Sequence, residues 1–546
     1  MGATPNPQQI IDDTDQMQAD RAVFASHWQE VRDWICPLTI AVTARETPGA
    51  KSHGNVLDGT GEDAGEMLAA ALVSMETPET DEIFELRTDD DRINRRHDVK
   101  VWLQDCADRM HNVMRSPRGL YQQTQQQKKI DQVYFGTSCS YIIERPGKIV
   151  SASVPLRQLL IEEDDDGVVN KVHRDFELQA RQAVGRWGDR LPAKILECAA
   201  DPKRAKEKFR FIHAVCPRRE RDYQSAKNTD LPLASTYVSV EGKQILGDTG
   251  YHEMPYQTPR NRKRADEAYG RGPGMKALAD VKSLQRLWRI VFRGGEKQID
   301  PPLMVADDGI SSAIRTNSSG ITYYRAGTWS TDPIKPLNTG GDVRVGFELI
   351  DRLRQTVENR FGKPLIQMIR QDRMTATEVL KVDEEQQRLL GPFLGDDKAQ
   401  DLGPMIERTF WILFRAGALL PMPEAMQGRD LVIEYVAPAL RAQRVGRARG
   451  LAQFGEITGP MLTANPALLD NLDEDAVYRD TGDALGLPAT WFRDEATVIK
   501  MRDARQQVQN EKAQREALLE TTEGVANAVR ALPALKAATE GGQLAA

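Results

Sequence analysis

One excursion constrains the fold of this chain more than any other feature. Residues 274–299 place Leu278, Val281, Leu284, Trp288 and Val291 at the spacing of a single helix face. At about 1.5 Å per residue this is a rod of roughly 35–40 Å. Pro301-Pro302 break it, and a short module with strand-like "PLMVA" and "GITYYRAG" follows. A second helical run, "DVRVGFELIDRLRQTVENRFG", then returns with Val345, Leu349, Leu353 and Val357 on one face. Helix, small β module, helix predicts a chain that runs outward and comes back alongside itself. A tip module this small has little core of its own, so packing against other subunits is expected.

The remainder is large enough for a body of several domains, since 546 residues exceed one ordinary core. Residues 7–36 read as an amphipathic helix with Phe24, Trp28, Val31 and Trp34/Ile35 recurring, stopped by Pro37. Another helix starts near Thr60, rich in small residues, and ends at Pro78; the chain is then strongly acidic to Asp91. A third spans 94–116, and glutamine-rich "YQQTQQQKKIDQVYFG" continues the helical reading to Gly136. Between 137 and 250 the pattern turns to strands and turns, with hairpins at Pro146-Gly147 and Asp166-Gly167 and a short helix at "QARQAVGRWG". After the excursion come a loop-like "LIQMIRQDRM", a helix "TATEVLKVDEEQQRLL", and a strongly apolar helix "MIERTFWILFRAGALLP". From 440 the chain reads as helical, and the tail after about 500 is polar and Ala/Gln/Glu-rich.

Catalytic patterns are missing where chemistry would require them. The cluster "YGRGPG", with Gly270, Gly272, Pro273 and Gly274, opens the first long helix, where backbone N–H groups can hold an anion. A nucleotide loop needs G-x-x-x-x-G-K-[ST], which occurs nowhere, and here Met275 and Lys276 follow without a hydroxyl for Mg²⁺. A turn with Pro273 at the helix start is the expected role. The acidic run "EEDDDG" places Glu162, Asp164, Asp166 and Gly167 as in a calcium loop, but His173 stands where a bidentate Glu is required. It reads as a solvated hairpin tip. "YHEMPY" offers His252 and Glu253 without a second histidine, and the seven histidines and five cysteines are scattered, so no zinc site is expected. The cysteines read as reduced thiols. No signal peptide is read at the N-terminus, and no window approaches 18 uninterrupted apolar residues, so neither cofactor, metal nor membrane is expected.

Net charge of −7 argues against a protein built to grip nucleic acid tightly, because such grip comes from Lys and Arg neutralising phosphates. Two basic stretches remain, "RNRKR" at 260–264 and "RAQRVGRARG" at 441–450, with few aromatics among them for base stacking. Surface or subunit contacts and DNA-backbone contacts both stay open for them.

Four strings in fixed order are similar to the portal, or head-to-tail connector, of short-tailed phages. "LDGTGEDAGEMLAAALVSMETP" resembles that family's D-x-T segment followed by Thr-Pro. "VPLRQLLIEEDDDGVVNKVHRDFELQARQAVGRWG" resembles its wing hairpin and helix, and "AYGRGPGMKALADVKSLQRL" the entry to its first stem helix. "MTATEVLKVDEEQQRLLGPFLGDDKAQDLGPMIERTFWILFRAGALLP" resembles the segment after its channel loop. The similarity runs from about residue 20 to 500. It departs at Ile83-Phe84, where the family often has a Trp-Phe pair, and in the last 45 residues.

The resemblance implies an α+β, mostly helical portal fold that assembles as a dodecameric ring at one capsid vertex, with double-stranded DNA in its channel. The order of parts is then a wing at 1–272, a first stem helix at 274–299, a small α/β clip at 301–341 and a second stem helix at 342–361. A channel loop at 362–376, wing helices at 377–439, a helical crown at 440–500 and a polar tail at 501–546 complete it. Gly270 to Gly274 would be the wing–stem hinge, and Lys363, Arg370 and Arg373 would face DNA in the channel. The implied partners are terminase, tail adaptor, scaffolding and major capsid proteins, during assembly in the host cytoplasm and then in the virion. Another multimeric phage structural protein, such as a tail adaptor, and a DNA-processing enzyme are the alternatives. A terminase-like enzyme needs the nucleotide loop that is missing.

Overall fold

The structure is a computed structural model that describes residues 6–43, 46–47, 49–52, 56–78, 82–218, 227–306, 313–325, 334–337, 342–364, 395–428, 431–435, 450, 454, 456–458, 473–485 and 487–515. The fold mixes helix and strand, with helix predominating. The chain divides into two compact units. The first comprises Met1–Phe84, Asp108–Leu419 and Tyr435–Ala439, the second Glu85–Ala107, Leu420–Glu434 and Leu440–Ala546.

In the first unit, α1 (Pro7–Trp34) starts at Asn6, whose side chain accepts the Gln8 N–H at 3.0 Å, with Pro7 in the first helical turn. It buries Ile11, Met17, Ala25, Trp28 and Val31. Small residues govern α2 (Thr60–Glu76): Gly61, Ala64, Gly65 and Ala69 are buried with Leu68 and Leu72. A Cβ at Gly65 would stand 2.4 Å from the Tyr134 ring, so glycine is what lets α2 meet its neighbour. The second unit begins in the strand β1 (Phe84–Thr88) and continues through α3 (Asp91–Asn94) into α4 (His97–Arg115), which is divided between the units at Ala107. The helical reading does not run unbroken from 94 to 136. Pro117 opens a single 3-10 turn and Leu120 takes a left-handed φ of 55°, so α5 (Tyr121–Phe135) starts afresh and ends at Gly136 with φ 81°.

Two antiparallel sheets follow in the first unit. The strands β2 (Ser140–Arg145) and β3 (Lys148–Ser153) form the first expected hairpin. The second joins β4 (Leu159–Glu163) and β5 (Val169–Gln179), with Gly167 left-handed at its tip and the Asp164 carboxylate accepting the N–H groups of Asp166 and Val168. The helices α6 (Ala180–Trp187) and α7 (Ala193–Ala200) lead to β6 (Lys208–Pro217), β7 (Leu233–Ser239), β8 (Gln244–Tyr251) and β9 (Tyr256–Gln257). The large sheet runs β4-β5-β6-β7-β8 and the small one β3-β2-β9. Of these helices α7 was not legible, and its Ile195 and Cys198 close a core with Phe176, Phe209 and Phe211.

The paired helices are α8 (Pro273–Ile299) and α9 (Val343–Arg360). Gly294 lies against Val343, Gly346 against Val291, and both Val281 and Val357 against Gly61, so the two run antiparallel. Between them β10 (Leu303–Ala306) pairs in parallel with β11 (Ile321–Tyr324) and antiparallel with β12 (Ile334–Pro336). Among the described residues this module has three strands and no helix. Leu278, Val281, Leu284 and Val291 are buried and Trp288 is half-buried.

The inner face of α9 differs from the expected one. Ile350 and Val357 are buried, while Val345 is 54% and Leu349 45% exposed. A stripe at every fourth residue drifts about 40° per step on a 100° helix, so Val345 ends about 120° away from Val357. The face that α8 covers follows the three-four alternation Val343, Gly346, Ile350, Leu353, Val357. Downstream, α10 (Gly403–Arg415) follows a π-helical turn at Lys398–Leu402. In the second unit β13 (Leu431–Tyr435) pairs with β1, α11 (Glu474–Ala484) carries Asp475 in an ion pair with Arg502, and helical residues 495–515 are largely exposed.

At Gly346 a Cβ would meet Val291 Cγ2 at 2.5 Å. Gly346→Ala is expected to lower the thermal midpoint, and adding Val291→Ala to recover part of the loss. The coupling read from a double-mutant cycle should be about 1–2 kcal/mol; additive effects would show that the two helices do not meet at this position.

Candidate functional site

The first unit converges where the paired helices leave its body. Gly270, Gly272 and Gly274 cross the end of α5 backbone against backbone. Added Cβ atoms would stand 2.3 Å from the Gly136 carbonyl, 2.6 Å from that of Val133 and 2.6 Å from that of Tyr134, respectively. Gly136 answers from the other side, with Gly272 N 2.3 Å from where its Cβ would be. Three donors of the crossing have partners. Gly270 N–H reaches Thr137 Oγ1 at 2.8 Å, Arg271 N–H the Asn261 carbonyl at 2.7 Å, and Asn261 N–H the Gly136 carbonyl at 2.7 Å. Gly272, Pro273, Gly274 and Met275 are buried. The helix start therefore faces packed backbone and has no room for a phosphate.

Asp58, just ahead of α2, ties the two long helices together. Its carboxylate accepts Trp288 Nε1 from α8 at 2.7 Å, Arg354 Nε from α9 at 2.8 Å and the Thr60 N–H at 2.9 Å. Gln285 closes the same joint, accepting the N–H groups of Leu57 and Asp58 and donating to the Asp58 carbonyl. Burial pushes the Asp58 carboxyl up, but hydrogen bonds from Thr60, Trp288 and Arg354 outweigh it and hold the group below its ordinary value.

A second polar joint lies on α5. Lys128 pairs with Asp401, and Lys129 reaches Asp397 at 2.7 Å and Glu76 at 2.5 Å. Gln132 donates to Asp397 and Gln125 to the Met405 sulfur. Further along α10, buried Arg408 donates to the carbonyls of Ile142 and Glu253, and Arg415 forks onto the Glu253 carboxylate at 2.5 and 2.9 Å. Glu253 is thereby an ion-pair partner rather than a metal ligand. Neither joint was foreseen. The available signals were adjacent lysines inside a glutamine-rich helix and two aspartates four residues apart in "DDKAQD".

Of the residues singled out in the sequence, Lys363 pairs with Glu358. Arg370, Arg373 and the basic stretch 441–449 lie outside the described residues. The other basic stretch faces inward at its start. Arg260 is 2% exposed, pairs with Glu163 of the acidic hairpin, and donates to the carbonyls of Gly167 and Ala268 and to Gln400 Oε1. Lys263 joins Glu163 at 2.6 Å. Burial lowers the Arg260 pKa to about 10, with Asp396 opposing.

Among the described residues no three His, Cys, Asp or Glu side chains gather as metal ligands, and no helix is long and apolar enough to cross a membrane. An open cleft of about 650 Å³ in the second unit is lined by Arg92, Arg95, Arg96, His97, Arg479, Asp98, Asp494 and Glu495. Arg96 forks onto Asp98 and Arg479 faces Glu495 at 3.8 Å, which makes it a solvated cleft of mixed charge.

Asp58→Asn is expected to destabilise the folded protein by about 2 kcal/mol near neutral pH, read by denaturant unfolding. The wild-type carboxylate contributes fully above its ordinary value of 3.8 and loses its advantage as pH falls through its lower folded value. The gap between the two proteins should therefore narrow in acid. A gap that widened there would refute the assignment.

Comparison with known proteins places the chain in a family. The profile of the family described as "Bacteriophage head to tail connecting protein" matches residues 7–492. The "Probable portal protein" of Bordetella phage BPP-1 is 27% identical over 526 residues, 92% of each chain. The "Portal protein" of Salmonella phage epsilon15 is 24% identical over 518 residues, again 92% of each. A match spanning both sheets, the paired helices and α10 carries the conclusion: the chain belongs to the bacteriophage head to tail connecting protein family and functions as a phage portal.

Proposed function

We propose that the chain closes into a homo-oligomeric ring of about twelve copies at one capsid vertex, with double-stranded DNA passing along its axis. Terminase docks on it during genome packaging and tail adaptor proteins afterwards, while scaffolding and major capsid proteins surround it. The observation that carries this reading is the outer surface of the paired helices. Ile290, Phe292 and Ile299 on α8 are 56%, 51% and 87% exposed, and Val345, Phe347 and Leu349 on α9 are 54%, 47% and 45% exposed. Aliphatic and aromatic side chains in such number along two helices ask for a partner, and a neighbouring copy presents the same helices in turn. The family is structural, and a scaffolding role without catalysis accounts for this chain's joints.

An acidic protein suits a conduit, because strong phosphate contacts would hold the DNA that must slide. Repetition around a ring turns one cation per chain into a collar that brakes DNA without reading its sequence. We assign this collar to Arg370 and Arg373, since Lys363 shares its charge with Glu358. The segment Gly270–Gly274, expected as the wing–stem hinge, is assigned as the fixed bend where the wing feeds the stem.

Native mass measurement and negative-stain imaging should find a ring of about twelve subunits around a central hole. Ile290→Asp combined with Val345→Asp should leave the fold intact and the chain largely monomeric; rings unchanged by both would refute the stem as the subunit contact. Particles carrying alanine at both Arg370 and Arg373 should lose packaged DNA more readily than wild type. Equal retention would remove these arginines from the channel reading.

A further inference from the structure

Three distant segments seal five ionisable side chains together. Glu76 comes from the end of α2, Lys128 and Lys129 from α5, and Asp397 and Asp401 from either end of the turn before α10. Each side chain is at most 4% exposed. The charges do not balance, with three carboxylates facing two ammoniums. Lys129 Nζ lies 2.5 Å from Glu76 Oε2 and 2.7 Å from Asp397 Oδ2, so those two carboxyl groups approach each other across one ammonium. Lys128 is engaged by Asp401, and Gln132 donates to Asp397 Oδ1. Glu76 Oε2 has Lys129 alone beside it, while Glu76 Oε1, Asp401 Oδ2 and the amide oxygens of Gln125 and Gln132 remain without a hydrogen-bond donor.

A surplus negative charge sealed from water is costly, since each incompletely compensated buried ion takes up a large part of a domain's margin of stability. The missing positive charge is either a cation or a proton. No three acids converge as ligands among the described residues, and the ammoniums already occupy the space between the carboxylates. We propose that this cluster is a proton-binding site, in which each chain holds one proton on Glu76, oriented towards Asp397, and thereby fastens α2, α5 and residues 395–402 to one another.

Burial is the main force raising the Glu76 carboxyl well above its ordinary value of 4.5; Lys129 opposes it and neighbouring Asp397 adds to it. Burial opposes the Lys129 charge, while Asp397, through both its charge and its hydrogen bond, and Asp401 favour it. The groups facing Glu76 are Lys129 from α5 and Asp397 from the turn, with Lys128 and Asp401 beside them. The other helices packed on α2, α8 and α9, bring no charged group into ion-pair range of Glu76 among the described residues. A carboxyl raised in the folded state contributes its full stability below the unfolded value and loses it as pH climbs towards the folded one. The cluster should accordingly weaken from about pH 4.5 upward.

Glu76→Gln supplies the neutral form permanently, so its thermal midpoint should gain on the wild type by several degrees between about pH 5 and about pH 9. A difference that stays constant, or a variant that loses ground at high pH, would overturn the proposal. Infrared spectroscopy of the Asp131→Asn protein needs no change at Glu76 and removes a second acid, on α5, whose carboxyl burial raises to about 7. A protonated-carboxyl band should persist at about pH 9, and its absence would overturn the proposal even if Glu76→Gln does not fold. Stabilisation of the wild type, but not Glu76→Gln, by added Na⁺ or Mg²⁺ would assign the charge to a cation instead.

Discussion

The structure of the first unit depends on one close approach, the crossing of residues 270–274 over the end of α5. Main-chain atoms meet there at distances that leave no space for any Cβ, and the N–H groups of Gly270, Arg271 and Asn261 find acceptors across the crossing. Such a contact fixes direction as well as distance, because both partners are rigid backbone. The 27-residue helix that follows therefore leaves the body at an angle set by peptide planes, not by adjustable side chains. Asp58 then fixes the second helix to the first, so the pair emerges as one strut.

Polar groups provide the specificity of this root, and apolar groups most of its burial. Asp58, Gln285, Lys129 and Arg408 are each satisfied by partners more than a hundred residues away, so only one arrangement of segments pairs them all. The surrounding core, from Trp28 and Ile35 to Val357 and Phe361, tolerates more alternatives, since hydrophobic contact has little directionality.

The sequence made the long elements legible and left the joints obscure. The 274–299 helix, both hairpins and the strand pattern of 137–250 followed from periodicity and turn residues, which are local properties. The inner face of α9 did not, because a four-residue stripe and a three-four alternation share Leu353 and Val357 and differ only over several turns. Asp58 stood inside a recognisable string, yet nothing local announces that a carboxylate will meet an indole from one helix and a guanidinium from another. Arg260 was open to surface, subunit or DNA-backbone contact because its acceptors, Glu163, Gly167, Ala268 and Gln400, are gathered by the fold alone.

The wide turn at Lys398–Leu402 carries one residue more than an α-helical turn would hold. Ahead of it Asp397 meets Lys129, within it Asp401 meets Lys128, and after it Met405 meets Gln125, so a single strip of α5 reads both halves in succession. Removing one residue there would rotate everything downstream by about 100° and turn Met405 and Arg408 away from their partners. This stretch therefore acts as a ruler: the spacing from Asp397 to Arg408 is set by partners met ahead of the turn, within it and after it.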